Sequence, residues 1–154
     1  MCGIVGGITN KDITPLLLEG LKRLEYRGYD SSGLIVLSKN NTLNRERSVG
    51  RVNNLIEKLN IRKNKISGNN GIAHTRWATH GEPTNQNAHP HISKNSISVV
   101  HNGIIENYID LKNLQIKQGY EFTSETDTEV IAHAIDFSLK SSNSLLKAVQ
   151  KAFR

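Results

Sequence analysis

The spacing of apolar positions changes along the chain between the two-residue period of a strand and the 3.6-residue period of a helix. Residues 2–8 alternate small and apolar side chains and predict a strand. Thr14-Pro15 then supplies an N-cap candidate and a first-turn proline, followed by Leu17, Leu21 and Leu24 at i, i+4 and i+7, with Gly28 placed to stop the helix. Residues 33–37 form a short apolar run, the signature of a buried strand. Val52, Leu55, Ile56 and Leu59 make a second helical stripe that ends in the polar stretch 62–70. Two further strands are predicted over 71–75 and 96–101, the latter centred on Val99-Val100. Between them, 78–95 shows little periodicity and predicts a long loop, a feature usually functional or disordered in compact domains. Residues 106–118 predict a helix closed by Gly119. Thr126-Asp127-Thr128-Glu129 has the spacing of a capping box, opening a helix with Val130, Ile131, Ala134 and Ile135 facing inward. Ser144 caps a last amphipathic segment carrying Leu145, Leu146 and Val149. Four strands with helices on their faces predict a layered α/β domain.

Composition narrows the partners more than the fold. At 154 residues, with no internal repeat and no linker, the chain reads as one unit over 1–154 that can bury a core. Its apolar runs are only a few residues long, which excludes a membrane span, and no basic stretch leads into an apolar one as in a secretory signal. A single cysteine forms no internal disulfide, so the expected compartment is cytoplasmic. The formal charge is +6, yet the lysines are scattered and no aromatic side chain lies in a basic cluster, which argues against a nucleic-acid partner. His89-Pro90-His91 has no second ligand cluster at a credible spacing, so no metal and no other cofactor is expected.

The one cysteine is Cys2. As a small buried hydrophobe it would be inert. With Met1 removed, its thiol and a chain-terminal α-amine would lie on one residue, a nucleophile with its own base. Four glycine-punctuated or polar stretches fall at the ends of predicted elements, where function concentrates. Tyr26-Arg27-Gly28-Tyr29-Asp30-Ser31-Ser32-Gly33 reads either as a helix stop and turn or as a site loop. His74-Thr75-Arg76-Trp77-Ala78-Thr79-His80-Gly81 carries a guanidinium suited to a substrate carboxylate, or a surface arginine beside a packed tryptophan. His101-Asn102-Gly103 can be an Asn-Gly hairpin turn, or an oxyanion hole formed by the Asn102 amide and the Gly103 N–H. In Ser124-Glu125-Thr126-Asp127, a carboxylate at a helix start either caps the helix or binds an ammonium. Taken together with Cys2 these parts suit a substrate bearing an α-carboxylate, an α-amine and a side-chain carbonyl, which describes glutamine.

These same motifs, in this order and over the whole chain, resemble the class II glutamine amidotransferases. The likeness is strongest to the glutaminase domains of the sugar-aminating branch. The resemblance implies an α+β fold, the N-terminal-nucleophile hydrolase αββα sandwich. It implies Cys2 as nucleophile with its α-amine as base through a water, and Asn102 and Gly103 as the oxyanion hole. Arg76 would bind the glutamine α-carboxylate and Asp127 its α-ammonium, with Thr79 and His80 lining the pocket. Trp77 would guide ammonia toward a second site, and Arg27 would lie just behind the catalytic cysteine. In that branch further strands and two sugar isomerase domains follow, ammonia goes to fructose 6-phosphate to give glucosamine 6-phosphate, and the full-length enzyme is expected as a homodimer. The chain is therefore expected to be an N-terminal piece with its second sheet unfinished. Amidotransferases acting on phosphoribosyl pyrophosphate or forming asparagine are the alternatives within the fold; a non-catalytic basic module is the alternative outside it.

Overall fold

Two sheets organise the chain, and the histidine-rich segment between 86 and 93 joins them. The computed structural model describes residues 2–78 and 81–153; Met1, Thr79, His80 and Arg154 lie outside the described residues. The first sheet is antiparallel throughout, in the order β1-β4-β2-β3, and is built from β1 (Gly3–Ile8), β2 (Ser31–Leu37), β3 (Leu43–Val49) and β4 (Asn70–Arg76). Two helices, α1 (Thr14–Leu24) and α2 (Val52–Ile61), cover one of its faces. The second sheet pairs β5 (His91–Ser93) with β6 (Ile97–Val99) and packs on α4 (Glu129–Leu139), which α3 (Tyr108–Lys117) and α5 (Leu145–Ala152) flank.

Register assigns each side chain to a face. On the helical side, Leu34, Val36 and Ala73 join Ile13, Leu17, Leu21, Val52, Leu55 and Ile66 in one apolar core. A second core gathers Ile97, Val130, Ile131, Ala132, Ile135 and Ala148 under β6, α4 and α5. The opposite face of the first sheet is more polar. There Gly33 pairs with both His74 and Arg47, and a Cβ at Gly33 would run into the His89 carbonyl oxygen, so the 86–91 segment can lie directly on the strands. Arg47 donates to the carbonyls of Gln86 and Ala88, and Arg45 to that of Pro90.

The differences from the periodicity are local and have physical reasons. β3 escapes an apolar pattern because its inward-facing Arg45 and Arg47 serve loop carbonyls, not a hydrophobic core. β5 lies inside the predicted long loop, where three residues of His, Ile and Ser carry no strand signal. The strand predicted over 96–101 is regular only over Ile97–Val99. Thr14 does not cap α1; Asp12 accepts hydrogen bonds from both its N–H and its hydroxyl. The predicted capping box at Thr126 is also replaced. Thr128 occupies the N-cap of α4 without a side-chain cap, and Glu129 turns back to accept from the N–H and hydroxyl groups of Thr123 and Ser124. Gly119 closes α3 at φ +83°, and Ser144 accepts from the Lys147 N–H at the start of α5, both as predicted.

Candidate active site

Because β1 runs antiparallel to β4, the first residues of β1 meet the last residues of β4: Gly3 faces Thr75, and its N–H donates to the Thr75 hydroxyl at 3.1 Å. Cys2 therefore sits beside Arg76 and Trp77. The Trp77 N–H donates to Cys2 Sγ at 3.2 Å, which holds the half-buried thiol at the sheet edge. The turn before β2 reaches the same corner. Asp30 accepts from the Ala78 N–H at 2.8 Å and donates its own N–H to the Arg76 carbonyl, fixing the path of the chain beyond β4. Gly28 touches that backbone so closely that a Cβ would lie 2.9 Å from the Arg76 carbonyl carbon. Small size is what position 28 requires.

The second sheet brings the remaining groups. Beyond β6 the chain enters 101–107 and α3 without a returning strand, so His101-Asn102-Gly103 is no hairpin turn. The Asn102 side-chain amide donates to the Cys2 carbonyl at 2.9 Å, across a hundred residues of sequence. A Cβ on Gly103 would meet His101 Nε2 at 2.6 Å, and the His101 ring is itself held to Thr128 through Nδ1 at 3.2 Å. Asp127 is 5% exposed and accepts from the Ile105 N–H at 2.7 Å through Oδ2, which ties the loop after Gly103 to the start of α4.

A cavity of about 420 Å³ opens between these elements, lined by Cys2, Arg27, Arg76, Trp77, Asn102, Gly103 and Asp127 together with His89, His101, Ile104, Thr126 and Thr128. Its volume is that of a small-molecule site. Arg76 is only 4% exposed, and its guanidinium donates to the carbonyls of Gly81 and Glu82. Burial disfavours its charge, while Cys2, Asp30 and Asp127 around it act in the opposite direction. Trp77 stands 44% exposed at the rim, its ring meeting Tyr29 edge-on at 5.4 Å. Arg27 lines the cavity with its Nε donating to the Tyr26 hydroxyl. Thr79 and His80, expected in the pocket, lie outside the described residues.

The glutamine amidotransferase domain family matches residues 74–152, just over half of the chain. This chain belongs to that family. The amidotransferase chain is 55% identical over 152 residues to the glutamine–fructose-6-phosphate aminotransferase (isomerizing) of Legionella pneumophila strain Paris, covering 99% of itself and 25% of that protein. It is 57% identical over 151 residues to the protein of the same name from Acinetobacter baylyi, covering 98% of itself and 24% of the relative. The chain thus spans about a quarter of the length of these curated relatives. Among solved structures it resembles the Bacillus subtilis glutamine phosphoribosylpyrophosphate amidotransferase complexed with ADP and GMP, with a TM-score of 0.73 at 26% identity over 99% of this chain and 32% of that one. It also resembles a structure described as the allosteric regulatory enzyme of purine biosynthesis, with a TM-score of 0.77 at 28% identity over 98% of this chain and 32% of the other. Its fold is the N-terminal-nucleophile type of these amidotransferases, and among the described residues no helix is long and apolar enough to cross a membrane.

Beneath the cavity lies a histidine layer that no motif in the sequence marks. The rings of His74 and His89 stack with centroids 4.2 Å apart, and His89 meets His91 edge-on at 4.6 Å. The spacing of these residues in sequence carries no signal of this contact, since it depends on the 86–91 segment folding onto β4. Burial holds all three imidazoles neutral: His74 is lowered to about 4, and His89 and His91 fall well below the usual range. Around His89 the nearby groups are His74, His91, Arg76 and His101; around His91 they are Arg47, Arg45, Arg76 and His74, all adding to the effect. Unfolded imidazoles protonate near 6.5, whereas the folded ones resist to lower pH. Below about pH 6.5 the unfolded chain therefore binds more protons, and stability falls as the pH is lowered, by about 1 kcal/mol per unit for each such histidine. The urea midpoint is expected to drop between pH 7.5 and 5, and to drop less in a His89→Phe variant. An equal drop in both proteins would contradict this account.

Proposed function

We propose that this chain hydrolyses glutamine through a thioester on Cys2. The observation that carries the proposal is the convergence on one cavity of a thiol, the Asn102 amide, a buried guanidinium and a buried carboxylate. With Met1 removed, the Cys2 α-amine takes the thiol proton through a water, and Sγ attacks the side-chain carbonyl carbon of glutamine. Negative charge on the carbonyl oxygen is met by the Asn102 Nδ2–H and the Gly103 N–H. Collapse breaks the C–N bond, the Cys2 α-ammonium returns its proton to the leaving nitrogen, and ammonia departs. Water then attacks the thioester in the same hole and releases glutamate. Arg76 pairs with the α-carboxylate of glutamine and Asp127 with its α-ammonium, and Thr79 and His80 are proposed as further contacts to the substrate. Arg27 and Trp77 shape the mouth through which ammonia leaves.

The relatives' names extend the proposal. Ammonia would pass to fructose 6-phosphate held by polypeptide beyond this chain, giving glucosamine 6-phosphate within a homodimer. Identity of 55–57% to the aminotransferases, against 26% to the phosphoribosylpyrophosphate amidotransferase, favours this acceptor. Covalent labelling tests the glutaminase step. A diazoketone analogue of glutamine is expected to add once per chain at Cys2, with glutamine protecting, and only in molecules whose intact mass lacks Met1. Labelling elsewhere, or equal labelling of chains that retain Met1, would overturn the mechanism.

A further inference from the structure

Asn102 is held at both ends, and only one end is explained by the chemistry above. At one end the amide meets the Cys2 carbonyl oxygen at 2.9 Å, and a carbonyl oxygen can only accept, so this end is Nδ2. The other end is then Oδ1, and it lies 2.9 Å from His74 Nε2. Since Oδ1 also accepts only, Nε2 must carry the proton, which fixes the tautomer of His74. We propose that His74 is a positioning residue for the oxyanion hole: its Nε2–H pins Asn102 Oδ1, so that the amide cannot flip and its second N–H stays turned toward the reacting carbonyl oxygen. This inference rests on the assignment of Asn102 to the oxyanion hole.

The surroundings of His74 suit that task. Its side chain is fully buried on β4, directly opposite Gly33, and its ring is stacked against His89, so the imidazole has little freedom to rotate. β4 is central in the sheet, paired on one side with β1, which carries Cys2, and on the other with β2. The strand that places Arg76 beside the thiol therefore also places the donor that orients Asn102. Without that donor, the amide oxygen loses its buried partner, and a flipped amide would set Oδ1 against the Cys2 carbonyl. A flipped amide would also present an oxygen where the oxyanion forms.

The test is a double-mutant cycle on glutamine hydrolysis by the intact protein, with folding checked by circular dichroism. His74→Phe keeps a flat buried ring without a donor and is expected to lower kcat about 10- to 100-fold, less than the ~10²–10³-fold typical of deleting an oxyanion donor outright. KM should change little, because the α-groups of glutamine are held elsewhere. His74→Gln offers an N–H at similar reach and is expected to recover most of kcat, whereas His74→Asn, whose amide stops short, should not. In an Asn102→Ala background His74→Phe should cost nothing further. The pH profile of kcat should keep its shape, since His74 moves no proton. An equal loss in the Asn102→Ala background, a change confined to KM, or a His74→Gln variant as slow as His74→Asn overturns the positioning role while leaving the oxyanion assignment intact. If His74→Phe fails to fold, the comparison of the Gln and Asn variants decides alone. Should Asn102→Ala itself leave kcat unchanged, the oxyanion assignment falls, and the role of His74 with it.

Discussion

Cys2→Ala is expected to lower glutamine hydrolysis by about 10⁴-fold or more, the scale of losing the nucleophile from a covalent mechanism. The remaining groups can still bind glutamine and polarise its carbonyl, but no side chain on the cavity offers a second thiol, since the chain has one cysteine. Folding should survive the change. Cys2 is half-buried, precedes the first residue of β1, and its backbone contact with Asn102 uses the carbonyl oxygen, which alanine retains. Glutamine should bind the variant with an affinity within about threefold of the wild type, because Arg76 and Asp127 grip atoms remote from the thiol. Glutamate release measured beside calorimetric binding separates the two quantities. Hydrolysis persisting within about tenfold of wild type would remove Cys2 from the mechanism.

The second large effect is expected on binding. Asp127→Asn should raise KM for glutamine and lower kcat/KM about 10²- to 10³-fold with kcat nearly kept, as when one partner of a buried charge pair is neutralised. The substitution preserves shape, and the asparagine oxygen can still accept from the Ile105 N–H, so the loop after Gly103 should hold its place. What changes is the face offered to the substrate ammonium, where an acceptor and a negative charge give way to an amide. The diagnostic is a glutamine analogue lacking the α-amine. The wild type should reject it strongly, whereas the variant should treat it and glutamine nearly alike. A variant that still discriminates as well as wild type would place the ammonium elsewhere.

Both expectations depend on parts that differ in how openly the sequence displays them. α1 and α2 announce themselves because each buries one continuous stripe, Leu17 and Leu21 in the first and Val52 and Leu55 in the second. β2 and β4 are visible because their apolar positions face that same core. β3 is silent because its buried partners are carbonyls reached by Arg45 and Arg47, and a strand that satisfies polar atoms leaves no apolar alternation. β5 is silent because its His91 and Ser93 are buried through contacts with Thr126 and His133, residues more than thirty positions away. The start of α4 differs from the capping-box spacing for a related reason. Glu129 has the spacing of a cap, but the free donors nearest to it belong to Thr123 and Ser124.

By itself, the sequence determined the chemical inventory: a thiol at position 2, an amide and glycine at 102 and 103, a guanidinium at 76, a carboxylate at 127, and the class of substrate these suit. Residue type and neighbouring glycines suffice for that, because reactivity and backbone freedom are local properties. Only the tertiary structure decided how the inventory is held. The antiparallel pairing of β1 with β4 puts Cys2 against the Trp77 N–H, and the fold of 86–103 onto that sheet brings Asn102 between the Cys2 carbonyl and His74. These contacts join residues 28 to 100 positions apart, and no periodicity within one segment encodes a distance between two.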